Sequence, residues 1–351
     1  MKILHFANLG KRRSGLYEAV KDGIKYERKY GIDSQLAIYE VEHPDTTKPY
    51  DDWLTPVGWD WADGCDLIVI HRGLPEKVRQ KCSKKPTVMV IHGTADYLIL
   101  DGVASKGENQ NLNAHINLMR SFDVSVAVNP LDFEIYKLYD QKGTLELIHD
   151  AIDMERFTID GYSHPYMNHP MIMFADTLRI NKNPSHVIWA MNEVCQKIPE
   201  ARLSLYGLPL DSIMTWRNLI LRSKHAVLES CCEDINLQMS EIRPFMRGAD
   251  ILYNSNTSGI PSRVEIEAMA CGCQIISSGG DFTKWIHRGS DIKDIAKNII
   301  DCWEYIKQDV QASKKEARAY ALEHFNMETK VVEQYLPLYN RVIEGAKNNG
   351  D

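Results

Sequence analysis

The chain has 351 residues, of which 44% are hydrophobic and 25% charged, and its formal net charge is −7. That length favours two domains, the composition is that of an ordinary globular protein, and the acidic balance argues against coating nucleic acid as the main activity. The longest apolar runs, such as Leu67 to Ile70 and Val88 to Ile91, are far too short to span a bilayer; Met1 to Phe6 runs directly into polar Asn8 to Arg13 without the core or cleavage site of a signal peptide, so a cytoplasmic protein is expected.

The first half alternates strand and helix. Lys2 to Ala7 reads as a buried parallel strand. A polar loop from Gly10 to Gly15 leads into a helix over about Leu16 to Tyr30, which Gly31 is placed to stop. Ser34 to Tyr39 is a second strand, and Pro44 to Trp61 a polar and aromatic loop. Leu67 to Ile70 is a strand ending at His71, and a basic helix spans about Glu76 to Cys82. Thr87 to Ile91 is a strand ending at His92-Gly93. Val124 to Val128 leads into a helix near Pro130, and Leu145 to Ile148 closes the half. The segment 158–170, with Gly161, Pro165 and Pro170, breaks the pattern and is read as a linker. The alternation then restarts: strand Met171 to Ala175, helix Pro184 to Lys197, strand Leu203 to Tyr206 ending at Gly207, and a helix over Asp211 to Arg222. A mostly helical stretch follows from Ile235 to Gly248, then strands Asp250 to Tyr253 and Gln274 to Ser277. Helices Ile292 to Lys307, Ala312 to His324 and Glu328 to Gly345 finish the chain. This is an α/β protein of two doubly wound Rossmann-like domains, 1–157 and 171–327, with a C-terminal helix from 328 packing back across them. Two such domains in sequence are expected to face a cleft, with ligands at the carboxyl ends of the strands.

The most informative stretch is Gly259 to Gly272. A loop with Gly259, Ile260, Pro261 and Ser262 opens a helix near Arg263 and Val264, with Glu265 and Glu267 in its first turns. Unpaired N–H groups and the positive dipole end make such a helix start an anion site. A carboxylate one turn inside, Glu267, is placed to reach a ribose hydroxyl. An amphipathic helix with a Gly-Pro entry is the alternative. No strand is followed by Gly-x-Gly-x-x-Gly and no Walker-type loop is present, which argues against a dinucleotide redox enzyme and a P-loop phosphotransferase. The eight cysteines have neither zinc nor redox-pair spacing and are expected to be free thiols. The histidines show no metal-ligand spacing. Lys11, Arg12 and Arg13 sit together. Between His71 and Lys85 there are six basic residues (Arg72, Lys77, Arg79, Lys81, Lys84, Lys85) against Glu76 alone. These read either as solvated faces or as polyanion contacts. Trp53, Trp59 and Trp61 read as local packing or as an aromatic surface.

Across nearly its whole length the chain resembles the retaining glycosyltransferases of family 4, which have the GT-B architecture. His92-Gly93 after a strand is similar to that family's His-Gly at the edge of the acceptor domain. Ile148 to Phe157 resembles its end-of-domain stretch. Asp176-Thr177-Leu178 with Lys182 following resembles its Gly-Arg-Leu…Lys phosphate motif, and Glu267 to Gly272 the second half of its Glu-x7-Glu signature. Three positions depart from it: the first Glu falls at Gly259, the usual Arg at Thr177 and the Gly before it at Asp176. Arg263 and Arg179 are the nearest cations able to replace that Arg, because a guanidinium gives bidentate bonds to phosphate. Arg263 is preferred, since it sits where the helix begins.

The resemblance implies transfer of a sugar from a UDP- or GDP-sugar to an acceptor hydroxyl, with retention, no metal and no permanently bound cofactor. Lys182, Arg263 and the loop amides would stabilise the leaving diphosphate, with His92 beside the sugar. Gly15, Thr177, Arg179, Gly207, Gly259, Ile260, Pro261, Ser262, Val264 and Glu267 are the expected donor-binding positions. Lys11, Arg12, Arg13, His71 and Arg72 are the expected acceptor side. Their charge favours a phosphate-bearing acceptor, with a hydroxymethylated base in DNA, as in phage DNA modification, ahead of a glycan or lipid phosphate. A nucleotide-sugar epimerase of the same fold and a non-catalytic nucleotide-sugar binder remain as alternatives.

Overall fold

The computed structural model describes residues 1–7, 15–44, 53–71, 76–82, 84–92, 112–140, 142–176, 184–206, 232–235, 242–255, 260–287 and 291–348. They divide into two compact units, Met1–Ala151 with Met327–Asp351, and Ile152–Asn326. The sequence reading puts a linker at 158–170. In the structure Ile152, Met154 and Phe157 already pack in the core of the second unit. The chain from Met327 onward packs in the first.

The first unit is built on six parallel strands: β1 (Lys2–Ala7), β2 (Asp33–Ile38), β3 (Leu67–His71), β4 (Thr87–Ile91), β5 (Val124–Ala127) and β6 (Leu145–Leu147). Their spatial order is β2-β1-β3-β4-β5-β6. β3 and β4 are buried along their whole length, as parallel strands covered on both faces must be. Helix α1 (Gly15–Lys29) follows β1 and buries Tyr17, Val20, Ile24 and Tyr26. It ends where Gly31 takes a φ of +79°, a left-handed turn that other residues adopt only with strain. Helices α2 (Glu76–Cys82) and α3 (Leu112–Met119) precede α4 (Pro130–Lys137). The sequence reading does not include α3. Asn129 caps α4 by accepting from the Asp132 N–H at 2.7 Å, with Pro130 in the first turn where its missing N–H costs nothing. One sheet face packs Phe6, Ile68, Ile70, Met89 and Ile91. The other packs Ile3, Leu67, Val69 and Val88 against Leu338, Tyr339 and Val342 of the C-terminal helices. Trp59 is buried in the first of these faces and donates to the Ile38 carbonyl at 2.8 Å, so it is a packing residue. Trp61 packs on the same core.

The second unit carries β7 (Met171–Ala175), β8 (Arg202–Tyr206), β9 (Cys232–Ile235), β10 (Ile251–Asn254), β11 (Gln274–Ser277) and β12 (Trp285–Ile286). They are ordered β12-β11-β10-β7-β8-β9. Counted from β7, this is the 3-2-1-4-5-6 order of a dinucleotide-binding sheet. Helices α5 (Pro184–Lys197), α6 (Ile242–Gly248), α7 (Arg263–Ala270), α8 (Ile292–Ile306) and α9 (Val310–Phe325) accompany it. The C-terminal run, α10 (Met327–Lys330), a π turn (Val331–Tyr335) and α11 (Leu336–Asn348), belongs to the first unit. The sequence reading made 235–248 mostly helical. Ile242–Gly248 is helix as expected, Ile235 completes an edge strand paired with β8, and 236–241 lies outside the described residues. The expected helix over 211–222 lies outside the described residues. No helix among those residues is long and apolar enough to cross a membrane.

Candidate functional site

Strand order locates the candidate sites before any side chain is considered. In open parallel sheets, ligands bind beyond the carboxyl ends of strands where the order reverses direction. In the first unit that point lies between β1 and β3. In the second it lies between β7 and β10. Both hold the most unusual chemistry of their units.

In the first unit, three histidines run diagonally across neighbouring strands. His5 of β1 pairs in register with Val69, and His71, two residues further, ends β3. His71 pairs with Val90 of β4, and His92 lies two residues beyond Val90. Each step therefore moves one strand sideways and two residues toward the carboxyl end, about 8 Å between backbones from the sheet spacings. Imidazoles span that gap. His71 Nε2 lies 3.0 Å from His5 Nδ1, and His92 Nε2 lies 2.9 Å from His71 Nδ1. At the inner end His5 Nε2 meets Glu27 Oε2 of α1 at 2.8 Å. Glu27 also accepts from the Ser34 hydroxyl and, through Oε1, from the Tyr339 hydroxyl at 3.1 Å. Tyr39 donates to the His71 carbonyl at 2.7 Å, fixing the end of β3.

His5, His71 and Glu27 are all buried, at 2%, 6% and 1% exposure. Burial would raise the Glu27 carboxyl, but the His5 charge and the hydrogen bonds from His5, Ser34 and Tyr339 outweigh it and hold the group below the usual carboxylate range. His71 is driven well below its ordinary value, first by burial and then by its two histidine neighbours. Beside the row lies a cavity of about 30 Å³, room for a water. His149, Asp150 and Tyr335 also line it. Among the described residues no group of three or more His, Cys, Asp or Glu is arranged to hold a metal.

In the second unit β10 ends at Asn254, whose side-chain amide donates to Ser262 Oγ at 2.9 Å. That bond ties the strand end to the start of α7. Glu265, the third residue of the helix, reaches back to accept from both the N–H and the hydroxyl of Ser262, each at 2.7 Å. This reciprocal closure fixes where the helix begins. Pro261 and Ile260 lead into it. Arg263 and Glu267, one turn apart, face each other: Arg263 Nε donates to Glu267 Oε1 at 3.1 Å. They are only 9% and 1% exposed. The C-terminal end of α7 is held by Arg318 of α9, which donates to the carbonyls of Ala270 at 2.8 Å, Phe157 at 2.7 Å and Met154 at 3.2 Å. A cation there also suits the helix dipole. The turn after α7 needs Gly272, whose φ is +95°. Cys271 and Cys273 beside it are free and buried. Burial pushes the Cys271 thiol up to about 12, so it is unreactive near neutral pH.

The expected site residues thus fall into two groups. His71 and His92 come together in the first unit, where Gly15 is the first residue of α1. Ile260, Pro261, Ser262, Arg263, Val264 and Glu267 come together in the second. Lys11, Arg12, Arg13, Arg72, Thr177, Arg179, Lys182, Gly207 and Gly259 lie outside the described residues. Sequence reasoning missed His5 and Glu27, and with them Tyr339. A histidine inside an apolar strand and a glutamate on the buried face of a helix were the available signals.

No protein-family model matches the chain, and none of the curated proteins does. Its fold, however, is that of solved glycosyltransferases. The structure of HepE from Anabaena in complex with UDP-glucose matches with a TM-score of 0.73 at 17% identity, covering 97% of this chain and 100% of that one. Sucrose-phosphate synthase from Thermosynechococcus elongatus matches at 0.72 and 15% identity, over 98% of this chain and 99% of that one. An alpha-glucosyltransferase in complex with UDP and a 13-mer DNA containing an HMU base matches at 0.66 and 13% identity, again over 98% and 99%. The two parallel-sheet units of this chain therefore make up a GT-B-type fold.

Proposed function

We propose that the protein is a glycosyltransferase that moves a sugar from a nucleoside-diphosphate sugar, a UDP- or GDP-sugar, to an acceptor hydroxyl, with retention and without a metal. The observation that carries this reading is where the polar groups gather. On a fold shared end to end with proteins solved with UDP or UDP-glucose, the capped start of α7 with Arg263 and Glu267 occupies the switch point of one sheet. The row ending at His92 occupies that of the other. The α7 start supplies backbone N–H groups for a diphosphate. Glu267 is assigned to the ribose, and Arg263 with Lys182 to the charge that grows on the leaving phosphate. His92 is assigned to the sugar. Lys11, Arg12, Arg13 and Arg72 are assigned to a phosphate-bearing acceptor, with duplex DNA carrying a hydroxymethylated base placed first.

Two measurements test this. A thermal-shift series over UDP, GDP and their sugars should single out one nucleotide, because a ligand of the folded state raises its stability. With that donor, free nucleoside diphosphate should accumulate. Binding without any release of nucleoside diphosphate would favour a binding module instead. For the acceptor, affinity for hydroxymethylated duplex DNA should fall steeply with salt; a slope near zero removes DNA from the proposal.

A further inference from the structure

Arg263 and Glu267 stand in the order that a helix disfavours. Arg263 is the first residue of α7, where the N–H groups without helical acceptors and the dipole already make the end positive. Across one turn, an acid placed before a base is the favourable arrangement, and a base before an acid the poorer one. Yet the pair is closed and buried. Arg263 Nε donates to Glu267 Oε1 at 3.1 Å, and the two residues are 9% and 1% exposed. Taking two charges out of water together is a poor route to stability. A local rule broken inside a packed unit, with no evident gain in stability, marks a place where function sets the sequence.

The backbone around the pair is tied at both ends. Asn254, Ser262 and Glu265 hold the start of α7, and Arg318 holds its last turn. A rearrangement here therefore falls to the long Arg263 side chain. Side chains on a helix lean toward its N-terminus, so an Arg263 that lets go of Glu267 leads toward the N–H groups of the first turn. While the pair is closed, Glu267 offers a ligand almost no surface. Arg263 on a diphosphate and Glu267 on a ribose thus require the pair to part. We propose that Arg263–Glu267 is a latch on the donor site, and that a diphosphate opens it. An anion at the start of α7 takes the guanidinium through charge-assisted bonds and neutralises the surplus of positive charge at that end. Glu267 then accepts from the ribose hydroxyls in place of Arg263. Each charge exchanges one partner for another, and neither is stranded. A nucleoside without phosphates brings hydroxyls for Glu267 but nothing for Arg263. Its entry would leave a buried cation without its counter-charge, so it is refused. Ribose recognition is in this way conditional on the diphosphate.

The latch rests on the glycosyltransferase reading, and one set of titrations separates the two. Uridine, UDP and their 2′,3′-dideoxy forms are titrated into the full chain, with the guanosine set run beside them. In the wild type, loss of the ribose hydroxyls should weaken the diphosphate about tenfold or more, the scale of hydrogen bonds to a charged group. The same loss should leave the nucleoside unchanged. Arg263→Met holds the latch open: the nucleoside should bind it about tenfold more tightly than the wild type, and the diphosphate more weakly. Arg263→Gln, which keeps a donor without the charge, takes its place if the Met variant does not fold. Hydroxyl loss that weakens nucleoside and diphosphate by the same factor in the wild type overturns the latch without any variant. So does a nucleoside that binds the variant no better than the wild type, undetectable binding to both included. If no diphosphate of either set binds the wild type, the donor assignment fails and takes the latch with it. Diphosphates that bind without the conditional hydroxyl effect remove the latch alone.

Discussion

Changing Arg263 to Ala removes the cation that faces Glu267 inside α7. The two are 9% and 1% exposed, and Arg263 Nε lies 3.1 Å from Glu267 Oε1. Stripping one partner from a buried pair costs about 3–5 kcal/mol, because the remaining charge has lost its solvent and its counter-charge together. Glu267 also sits near the positive end of its own helix, which offsets part of that cost. The expected loss is therefore near the lower bound, about 3 kcal/mol, which for a unit of this size lowers the melting temperature by about 6–12 °C. Glu267→Gln removes the charge that Arg263 compensates. The double change Arg263→Met with Glu267→Gln should recover much of the stability, since neither charge is then left alone in the interior. Calorimetry and urea unfolding of the four proteins close this cycle, and a coupling of about 2 kcal/mol is expected for a contact of this kind. UDP affinity, measured on the same four, separates stability from ligand binding. If Arg263 also meets the diphosphate, UDP affinity stays low in the double variant while stability returns. A melting temperature within about 2 °C of wild type in Arg263→Ala, under 1 kcal/mol, would show that the pair is not the buried compensation argued here. Full UDP affinity in the double variant would remove Arg263 from the phosphate.

Four further outcomes follow from the same geometry. His71 has its folded-state pKa far below that of the unfolded chain, so its contribution is complete above about pH 6.5 and is lost as pH falls, at up to roughly 1.4 kcal/mol per pH unit; urea midpoints between pH 7 and 5 should drop, and a His71→Phe chain with the same slope would contradict this. His169, raised by its hydrogen bond to Asp250 at 2.6 Å, has the opposite sign: its contribution is complete below the unfolded value and lost as pH rises through the folded one, so His169→Gln should flatten stability on the alkaline side of pH 6.5. Arg318→Ala leaves the Met154, Phe157 and Ala270 carbonyls without their charged donor and should cost about 2–3 kcal/mol by denaturant unfolding; an effect under about 0.5 kcal/mol, that of an ordinary surface change, would make those bonds incidental. Gly272→Ala forces a side chain onto a φ of +95°, with a Cβ only 3.0 Å from Lys314 Cβ and 3.1 Å from Ile159 Cγ2, and should cost on the order of 1–3 kcal/mol; a neutral result would mean the turn relaxes.

Much of the fold was legible because both sheets are parallel and covered on both faces. Strands such as Leu67–His71 and Thr87–Ile91 then appear as short, wholly apolar runs between breakers, and these need no partner to be recognised. The elements that went unread lack that signature. β12 is two residues long. β9 carries Cys-Glu-Asp-Ile, too polar for a buried-strand pattern; its place comes from pairing with β8 at the sheet edge. The α7 start was readable because all its parts, from Pro261 to Glu267, lie within one short segment. What the sequence did not carry was the pairing of Arg263 with Glu267: the i, i+4 spacing permits it, but burial of both side chains is a property of the packed unit.

The histidine row shows the other limit. Along the chain His5, His71 and His92 look unrelated, being 66 and 21 residues apart. Their relation is a matter of register. Had β3 slipped by one residue against β1, His71 would point to the opposite face of the sheet and the row would be cut. The rule that joins them is nevertheless simple: on adjacent parallel strands, each histidine lies two residues further toward the carboxyl end than the position paired with the previous one. Strand ends can be read from apolar runs. Lateral order cannot, and β1 pairs with β3 only because the chain reverses direction across the sheet after β2. The switch point that makes the site is thus also what hides it from a linear reading. A histidine in the middle of β1 has no solvent to meet. It is tolerated because Glu27 waits on α1 and His71 on β3, and these have partners of their own, Ser34 and Tyr339 for Glu27 and His92 for His71. His5 is the member that touches both of the others, so removing it takes one bond from Glu27 and one from His71 at once, and His5→Ala should cost more in denaturant unfolding than a change at either end of the row.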